Sequence, residues 1–350
     1  MGPDAAAILD TLRCEDSFYL YGAQVVAYGA YRAIQALCGK TPERFLVTAP
    51  EGNPTEMDGI AAGVPEDACR DLPVVICVSS VLRTPIRAHL DALGFRRCLD
   101  WTDSAEFDLM SAFYGEKFPL LDRNASYPAA DLALYEIRHH RDRPLQNPPP
   151  LHPWEHPIQA GAALTETRIA DLTDCEGDQI SRRNPDYSEM TAAYWVWKNA
   201  HSAWKGIEHY RRHLSVRSDQ LGGGIDAVLP LPYLCYPDFS AQWGRFVSPE
   251  VPEAVLGALR VLYPAEADRY AAALAEPYQY PYNLVCARET VFDEYCAWLF
   301  SVTEYLETQK IPGLQKPRAM GYAAEALTGL YFLVHRDRLT LRHTAKEIFA

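Results

Sequence analysis

Residues 73–80 form a nearly unbroken apolar run, PVVICVSS. A strand that is apolar on both faces needs cover on both sides, as in a parallel sheet flanked by helices. Similar segments alternate around this run, with strands predicted at 17–22, 44–50 and 95–99 and helices at 25–37 and 85–93. The alternation predicts an α/β fold, beginning with a small Rossmann-like domain over residues 1–125.

The turn after the first predicted strand tests whether this domain binds a nucleotide. Its sequence, YGAQVVAYG, has glycines only at Gly22 and Gly29. The dinucleotide fingerprint G-x-G-x-x-G needs its glycines because the backbone must approach a pyrophosphate closely. Gln24 stands where the second glycine is required. We therefore expect a degenerate nucleotide site and a scaffold or interaction role for this domain.

A second domain is predicted over residues 130–350. It opens with a strand, LALYEIR at 132–138, which runs into a loop containing His139, Arg141 and the proline triplet at 148–150. The prolines predict an irregular loop. Ligands bind at the carboxyl ends of strands in open α/β sheets, so His139 and Arg141 are candidate ligand contacts. A solvated basic loop is the equal alternative.

The stretch Asn184 to Arg212 carries the highest density of aromatic and basic side chains. Asn184 is a good N-cap and Pro185 suits the first helical position. Tyr187, Met190, Tyr194 and Trp197 then recur at helical spacing. The pattern predicts a capped aromatic helix followed by a short strand. It fits either a core helix or a site for a negatively charged ligand.

The end of that strand, HYRR at residues 209–212, is the candidate anion contact. If the strand stays extended through Arg211, His209 and Arg211 share a face. Arginine gives bidentate charge-assisted bonds to phosphate oxygens, so this pair suits a diphosphate. Surface arginines that bridge acids are the alternative. Glu189 and Lys198 project from opposite sides of an ideal helix and do not form one catalytic pair.

A catalytic base would come from a carboxylate, and the sequence offers several. The candidates are Asp178, Asp226, Glu289, Asp293, Glu294 and Glu325. Glu325 is the first choice because its neighbours in MGYAAEALTG are small enough to admit a ligand. The D-x-D pattern that holds a metal on a nucleotide-sugar diphosphate is missing, and Asp174 with Glu176 is a poor substitute. Mn²⁺ or Mg²⁺ stays an open cofactor, with no metal ligand assigned.

Composition limits the partners of the protein. The net charge of −13 over 350 residues argues against nucleic acid, which usually needs a basic face. Nine scattered cysteines lack a CxxC pair and indicate reduced thiols in a cytoplasmic protein. We expect no secretory signal and no membrane span, so any membrane contact is peripheral. The oligomeric state is left open.

From about residue 132 onward, the sequence resembles a bacterial family of unknown function linked to galactofuranosyltransferases of capsule and O-antigen assembly. The most specific motif is N-P-x-x-x-E-x-T-x-x-Y-W-x-W-K-N followed by G-x-x-H-Y-R-R. Further matching segments are LYEIRHHRDRPL, PIQAGAAL, YNLVCARETVFDEYCAWLF and RAMGYAAEAL. The sequence departs from the pattern at Lys205 and Glu208, where apolar or small residues are more usual.

The resemblance implies a GT-A-like fold and transfer of a sugar, galactofuranose from UDP-galactofuranose, to a lipid-linked or growing glycan at the inner face of the plasma membrane. It also implies which residues serve the site. Those carried over from the motifs are Asn184, Glu189, Thr191, Tyr194, Trp197, Lys198, Asn199, His209, Tyr210, Arg211, Arg212, Asn283 and Glu325. In this interpretation Glu325, Glu189 and His209 are catalytic, and the others bind the donor with His139 and Arg141. The alternative is a non-catalytic carbohydrate- or nucleotide-binding protein of a polysaccharide assembly complex.

Overall fold

The computed structural model describes residues 1–349, which divide into two compact units. The first unit comprises residues 1–118 and 233–237, and the second comprises 119–232 and 238–349. The return of residues 233–237 to the first unit has no counterpart in the sequence prediction. No helix among residues 1–349 is long and apolar enough to cross a membrane.

The first unit is an α/β sheet domain. Its elements are α1 (Pro3–Arg13), β1 (Tyr19–Tyr21), α2 (Val25–Cys38), β2 (Arg44–Leu46), β3 (Glu56–Met57), β4 (Ile60–Gly63), β5 (Val74–Ile76), α3 (Ser80–Ala92), β6 (Cys98–Asp100) and α4 (Asp103–Tyr114). The strands lie in the order β3-β4-β2-β1-β5-β6, and every pair except β3 with β4 is parallel. This confirms the predicted parallel sheet. β5, the central apolar run, is fully buried.

The backbone conformation of the turn between β1 and α2 explains why a glycine stands at position 22. Gly22 has φ of 120°, and a Cβ at this position would lie 2.6 Å from the carbonyl oxygen of Cys77. Only glycine fits such a conformation without strain. Gln24 precedes α2, and its Nε2 donates to Asn53 Oδ1 at 3.0 Å. Its side chain thus bonds a neighbouring loop, and the degenerate nucleotide site stays a prediction.

The second unit holds most of the chain. Its elements, together with the short strand β13 of the first unit, are β7 (Leu132–Arg138), β8 (Glu155–Gln159), β9 (Leu172–Thr173), α5 (Asn184–Tyr187), α6 (Met190–Asn199), β10 (Trp204–His209), β11 (Arg212–Leu214), β12 (Ala227–Pro230), β13 (Tyr233–Leu234), α7 (Phe239–Phe246), α8 (Glu250–Leu262), α9 (Ala267–Leu274), β14 (Tyr278–Gln279), β15 (Val285–Arg288), α10 (Glu289–Thr308), α11 (Ala319–Val334), β16 (Leu341–Thr344) and β17 (Lys346–Ile348).

The large sheet of this unit runs in the order β16-β12-β15-β10-β7-β8-β9, with β11 and β17 joined at the end of β10. β10, β7, β8 and β9 are mutually parallel, whereas β15 is antiparallel to β10 and β12. The α/β class is confirmed. β7 occupies residues 132–138 as predicted. Because the parallel strands end on one side, residues that follow β7, β8 and β10 share a sheet edge.

Two local predictions for the Asn184–Arg212 stretch are wrong. The helix is broken at Ser188, whose φ is 50°, into α5 and α6. Asn184 is inside α5 and is not its N-cap, and its Nδ2 donates to the carbonyl oxygen of Ser188 at 2.8 Å. The strand also ends at His209, which pairs with Arg212 across a two-residue turn. Consequently His209 and Arg211 do not alternate along one extended strand.

Some strands were missed for identifiable reasons. β8 contains Pro157 and follows the proline-rich loop, so its sequence gives a poor strand signal. β9, β16 and β17 are only two to four residues long. Periodicity needs longer segments before it distinguishes a strand from a loop.

Candidate functional site

A cleft of about 540 Å³ opens at the carboxyl edge of the parallel strands in the second unit. Its wall includes residues 137–142, at the end of β7 and just after it, and Ala160, which follows β8. His209, the last residue of β10, lines it as well. This is the position where open α/β sheets bind ligands. The structure thus brings together His139, Arg141 and His209, which the sequence singled out separately.

Helical segments complete the cleft from the other side. Asn184, Pro185, Ser188 and Glu189 contribute from α5 and from the break before α6, and Arg318 contributes from the start of α11. The backbone N–H of Arg318 donates to the carbonyl oxygen of Pro185 at 2.9 Å. The Arg318 Nε donates to the Ser188 hydroxyl at 3.2 Å. The start of α11 is therefore fastened to the segment that carries Glu189.

Backbone strain concentrates around this cleft. Ser188, Tyr282, Asn283 and Arg318 are four of the six non-glycine residues with positive φ in the described part of the chain, at 50°, 70°, 54° and 64°. Such conformations cost about 1–3 kcal/mol for most side chains and tend to cluster at functional sites. Side chains from other elements hold these residues in their strained backbone conformations.

One of those contacts joins Glu189 to the start of β15. Glu189 Oε1 accepts a hydrogen bond from Asn283 Nδ2 at 3.0 Å, and Asn283 Oδ1 accepts one from the Thr328 hydroxyl at 2.9 Å. Glu325 Oε1 accepts from the backbone N–H of Tyr282 at 2.9 Å. Both candidate catalytic carboxylates thus bind the strained Tyr282–Asn283 turn. Glu189 also lines the cleft.

The cleft holds more basic groups than acidic ones. Arg138, Arg141 and Arg318 line it, as do three histidines, and Glu189 and Asp142 are its carboxylates. Asp142 is engaged, since its Oδ2 accepts from the backbone N–H of His139 at 2.6 Å. A surplus of guanidinium groups facing a concave site suits an anionic ligand.

Two histidines of the cleft, His209 and His139, have lowered pKa values that favour the neutral ring. Burial, with the charges of Arg212 and Arg211, lowers the pKa of His209 to about 3. Burial and the neighbouring His140 lower the pKa of His139. Within residues 1–349, the buried Nδ1 atoms of His209 and His140 have no hydrogen-bond partner. Buried polar atoms are usually satisfied, so these two indicate room for a ligand.

Of the four residues in the HYRR segment, His209 lines the cleft and the other three do not. The Arg212 guanidinium lies 4.0 Å from the ring centre of Tyr282. Burial raises the pKa of Glu325, and the charge of Glu189 adds to the rise while Arg212 opposes it. Arg211 opposes the rise that burial causes in the pKa of Asp142. The segment therefore supplies positive charge close to Glu325 and Asp142.

The aromatic side chains of α6 lie elsewhere. Trp197 stacks on Phe300 of α10, with ring centres 5.7 Å apart, and Tyr194 meets the same ring edge-on. The Lys198 ammonium sits 3.4 Å above the centre of the Trp197 ring. Asn199 Nδ2 donates to the carbonyl oxygen of Asp178 at 2.8 Å. These four carried-over residues do not line the cleft, and Thr191 is buried beneath it against Asn184.

Asp174, part of the D-C-E sequence after β9, is fully buried. Its Oδ2 accepts from the Gly161 N–H at 2.8 Å, and its Oδ1 accepts from the Ala162 N–H at 3.0 Å and from the Ser181 hydroxyl at 2.5 Å. The carboxylate thus fixes the turn after β8. Both oxygens are committed to this structural role, which agrees with the sequence interpretation of this segment as a poor metal motif.

Several cleft residues were missed by the sequence interpretation. Arg138 and Asp142 flank the predicted contacts, so the strand-end argument extends directly to them, whereas His140 belongs to the strand-end group that the sequence predicts. Arg318 stands in the matching segment RAMGYAAEAL without an assigned role, and its position depends on a left-handed backbone conformation that sequence does not reveal.

The fold and the cleft together define a class of protein, an α/β domain with a basic cleft at the carboxyl edge of its parallel strands. A solved structure titled "WbbM bifunctional glycosytransferase apo structure" matches with a TM-score of 0.54 and 22% sequence identity. The match covers 62% of this chain and 45% of that one, so this chain spans less than half the length of that protein. At this identity the likeness is one of fold, and it confirms the predicted GT-A-like class.

The family is shown by sequence. Residues 136–336 match the domain of unknown function DUF4422, and the chain belongs to this family. The matched range contains the cleft, from the end of β7 to α11. A comparison with curated proteins found no match.

Proposed function

We propose that this protein is a glycosyltransferase whose donor is a nucleotide diphosphate sugar, UDP-galactofuranose. The acceptor in this proposal is a lipid-linked or growing cell-surface polysaccharide of the capsule or O-antigen type. The observation that carries the proposal is the cationic cleft at the carboxyl edge of β7, β8 and β10, which three arginines and three histidines line together with Glu189. The fold likeness to a glycosyltransferase supports the same reaction class.

The basic groups would bind the donor diphosphate. Arg138, Arg141 and Arg318 line the cleft and offer charge-assisted hydrogen bonds to phosphate oxygens. Positive charge that is fixed in place before reaction stabilises the leaving nucleotide diphosphate as its negative charge develops. His139 and His209, whose pKa values are lowered, would add donors and acceptors without further charge. Arg211 and Arg212 of the HYRR segment would add positive charge without lining the cleft themselves.

Glu189 is the carboxylate that we propose as the base for the acceptor hydroxyl. It lines the cleft, and Asn283 fixes its orientation through a single hydrogen bond. Its second oxygen can accept the proton as the hydroxyl attacks the anomeric carbon and the bond to the diphosphate breaks. Glu325, the first choice from sequence, accepts a hydrogen bond from the Tyr282 N–H with one carboxylate oxygen. In this mechanism Glu325 positions the turn that holds Asn283.

Membrane association in this proposal is peripheral, at the cytoplasmic face where lipid-linked precursors are built. The first unit is proposed as a scaffold whose nucleotide site is degenerate, because Gln24 replaces a required glycine. Dependence of the reaction on Mn²⁺ or Mg²⁺ is tested in the assay below.

The test is turnover by the purified full chain with a panel of UDP-sugars, each with and without Mn²⁺ or Mg²⁺ and with and without a lipid-linked acceptor. Release of UDP that depends on UDP-galactofuranose and rises with acceptor supports the proposal. Turnover with another sugar preserves the class and corrects the donor. Tight glycan binding with no turnover of any UDP-sugar would instead establish the non-catalytic binding protein.

A further inference from the structure

A second cluster of ionisable groups lies under the cleft, in the interior of the second unit. It contains Glu136 of β7, Glu155 of β8, Glu208 of β10 and His213 of β11. Each of these residues is less than 10% exposed. Glu136 and Glu208 are direct neighbours on paired strands, and the pairing of Glu155 with Leu134 places it on the same sheet face. Buried carboxylates are costly unless paired or bound to a cation.

The spacing inside this cluster is the informative feature. His213 Nδ1 lies 3.4 Å from Glu155 Oε1 and 3.7 Å from Glu208 Oε1. These distances are longer than a normal hydrogen bond of about 2.7–3.2 Å. One ligand atom from each of the three residues can be chosen so that all lie within 4.8 Å of one another. Ligand atoms about 2.0–2.2 Å from a tetrahedral metal are separated by about 3.3–3.6 Å. The 3.4 Å spacing from His213 to Glu155 lies in this range, and the 3.7 Å spacing to Glu208 is about 0.1 Å longer.

We propose that Glu155, Glu208 and His213 bind one divalent transition-metal ion, with zinc as the best fit. An imidazole nitrogen with two carboxylate oxygens suits Zn²⁺ among the common biological metals. The three residues come from β8, β10 and β11, so the ion would tie these strands together beneath the cleft.

The groups around these ligands are arranged to orient them. Glu155 Oε2 accepts from the His152 N–H at 2.6 Å, and Glu208 Oε2 accepts from the Leu214 N–H at 3.2 Å. Each carboxylate therefore has one anchored oxygen and one turned toward His213. Glu208 Oε1 is buried and, within residues 1–349, has no hydrogen-bond partner. An unpartnered oxygen in an apolar interior is the second sign that a cation belongs there.

The other nitrogen of His213 faces a carboxylate. His213 Nε2 lies 3.8 Å from Glu136 Oε1, and the opposite oxygen of Glu136 accepts from Arg138 at 2.7 and 3.0 Å. Metal-binding histidines usually direct their second nitrogen to a carboxylate or carbonyl, which fixes the ring. Because Arg138 lines the cleft, the chain from ion to His213 to Glu136 would also hold one of the diphosphate-binding arginines.

The charges balance with the ion in place. Glu136, Glu155 and Glu208 carry three negative charges, and Arg138 with a divalent ion supplies three positive ones while His213 is neutral. Glu208 departs from the usual family pattern, so the site is inferred for this chain alone.

The test measures metal directly on the full chain. Protein stripped with a chelator is equilibrated with Zn²⁺, and in a separate arm with Mn²⁺, and bound metal is quantified by mass spectrometry. We expect one zinc per chain and a Tm that rises by several degrees with zinc, since an ion that binds only the folded state stabilises it. Less than a tenth of an equivalent with an unmoved Tm would overturn the proposal and leave a proton-sharing cluster.

Matched variants identify the site. Glu155→Gln and Glu208→Gln keep the shape and should each weaken zinc binding at least 100-fold. Glu136→Gln should weaken it by about 10- to 100-fold, as expected for a group behind a ligand. Glu294→Gln, at an exposed ion pair with Arg338, is the control and should bind zinc normally. Zinc binding that survives both ligand substitutions would place the ion elsewhere and refute the assignment.

The nine cysteines are free thiols and could bind zinc adventitiously. Cobalt(II) distinguishes the two cases, because thiolate ligands give intense charge-transfer absorption and Glu/His ligands do not. A cobalt complex without those bands supports the proposed site. Strong thiolate bands at one equivalent would show that cysteine holds the ion, which contradicts the proposal. Neither result depends on glycosyltransferase activity.

Discussion

Glu189 Oε1 accepts a hydrogen bond from Asn283 Nδ2 at 3.0 Å, across 94 residues of sequence. The bond joins the segment between α5 and α6 to the strained turn before β15. It occupies one carboxylate oxygen of Glu189, a residue that lines the cleft. This geometry distinguishes Glu189 from Glu325, whose carboxylate holds the same turn through the Tyr282 N–H.

The first prediction separates the two carboxylates. Glu189→Gln should lower kcat by about 100- to 10,000-fold, the usual contribution of a general base, while the amide preserves the shape of the side chain. Glu325→Gln should reduce kcat less and should lower Tm, because its role is to support the Tyr282–Asn283 turn. Steady-state kinetics and thermal unfolding of both variants check this. A larger kcat loss in Glu325→Gln would reverse the assignment.

A second prediction concerns the arginine at the start of α11. Arg318→Gln should raise the Kd for UDP by about 10- to 100-fold, since a hydrogen bond from a charged group contributes about 1.5–3 kcal/mol. Calorimetric titration with UDP measures the change. Arg336→Gln, which breaks an exposed pair with Glu276, is the control and should leave the Kd unchanged.

The salt dependence of UDP binding adds an independent check on Arg318. Phosphate contacts through arginine weaken as ionic strength rises. The dependence should therefore be shallower in Arg318→Gln than in the unmodified protein. An equal loss of affinity in Arg318→Gln and Arg336→Gln would remove Arg318 from the donor site.

Sequence reasoning from strand ends located the sheet edge of this cleft, whereas Asn184 and Glu189 of its opposite wall came only from the family motif. His139 and Arg141 follow an apolar strand, and the rule that ligands bind at the carboxyl ends of strands identified them. Arg318 and Ser188 enter the cleft through left-handed backbone conformations, which neither propensity nor periodicity predicts. Glu189 was identified only through a family motif. Its partner Asn283 is 94 residues away, and such pairing is set by tertiary structure.

For the aromatic residues of α6, the sequence pattern did not identify residues that line the cleft. Tyr194 and Trp197 recur at helical spacing, which is equally typical of a core helix and of a stacking surface. The structure packs both rings on Phe300. Lys205 and Glu208 stood out as polar residues in a buried strand, and only the structure shows what pairs with them. Sequence patterns mark such residues as unusual, but the partners come from other elements.

A third prediction uses the close approach of α11 to the Ser188 break. A Cβ on Gly321 would lie 3.1 Å from the Ser188 Cβ and 3.2 Å from the carbonyl oxygen of Tyr187. Gly321→Ala should therefore displace the segment that carries Glu189, with a stability loss of about 1–3 kcal/mol and reduced activity. Gly257→Ala is the matched control, because a Cβ there meets nothing within 4 Å and Ala favours the helix by roughly 0.5–1 kcal/mol. Chemical denaturation of both variants measures the difference.

A fourth prediction addresses the buried Lys205. Its Nζ lies 2.8 Å from Asp293 Oδ1 and donates to the carbonyl oxygen of Ala200 at 2.9 Å. The Asp293 side chain is 41% exposed, but the oxygen that faces the lysine, Oδ1, is buried. Lys205→Met should therefore cost about 3–5 kcal/mol, because an apolar side chain of similar length fills the space and leaves this oxygen without its cation. Lys205→Ala should cost more, because it leaves a cavity as well. Equal losses in denaturant unfolding would show that the charge, not the volume, is what matters.

The last prediction concerns acid stability and two buried histidines of the second unit. Burial lowers the pKa of His343 to about 4, and burial with the charges of Arg338 and Arg269 lowers the pKa of His335 to about 4. In the unfolded chain both have a pKa of about 6.5. Between these values the unfolded state binds more protons, so stability falls as the pH drops from about 6.5 to about 4.

The measurement is the free energy of unfolding against pH, from denaturant titrations. Each histidine contributes a slope of up to about 1.4 kcal/mol per pH unit in that window. His335→Gln should remove one such contribution, so the curve of the variant is shallower below pH 6.5. His201→Gln is the control, because that ring is 81% exposed and should leave the slope unchanged. A His335→Gln curve parallel to that of the unmodified protein would show that His335 is already protonated in the folded state.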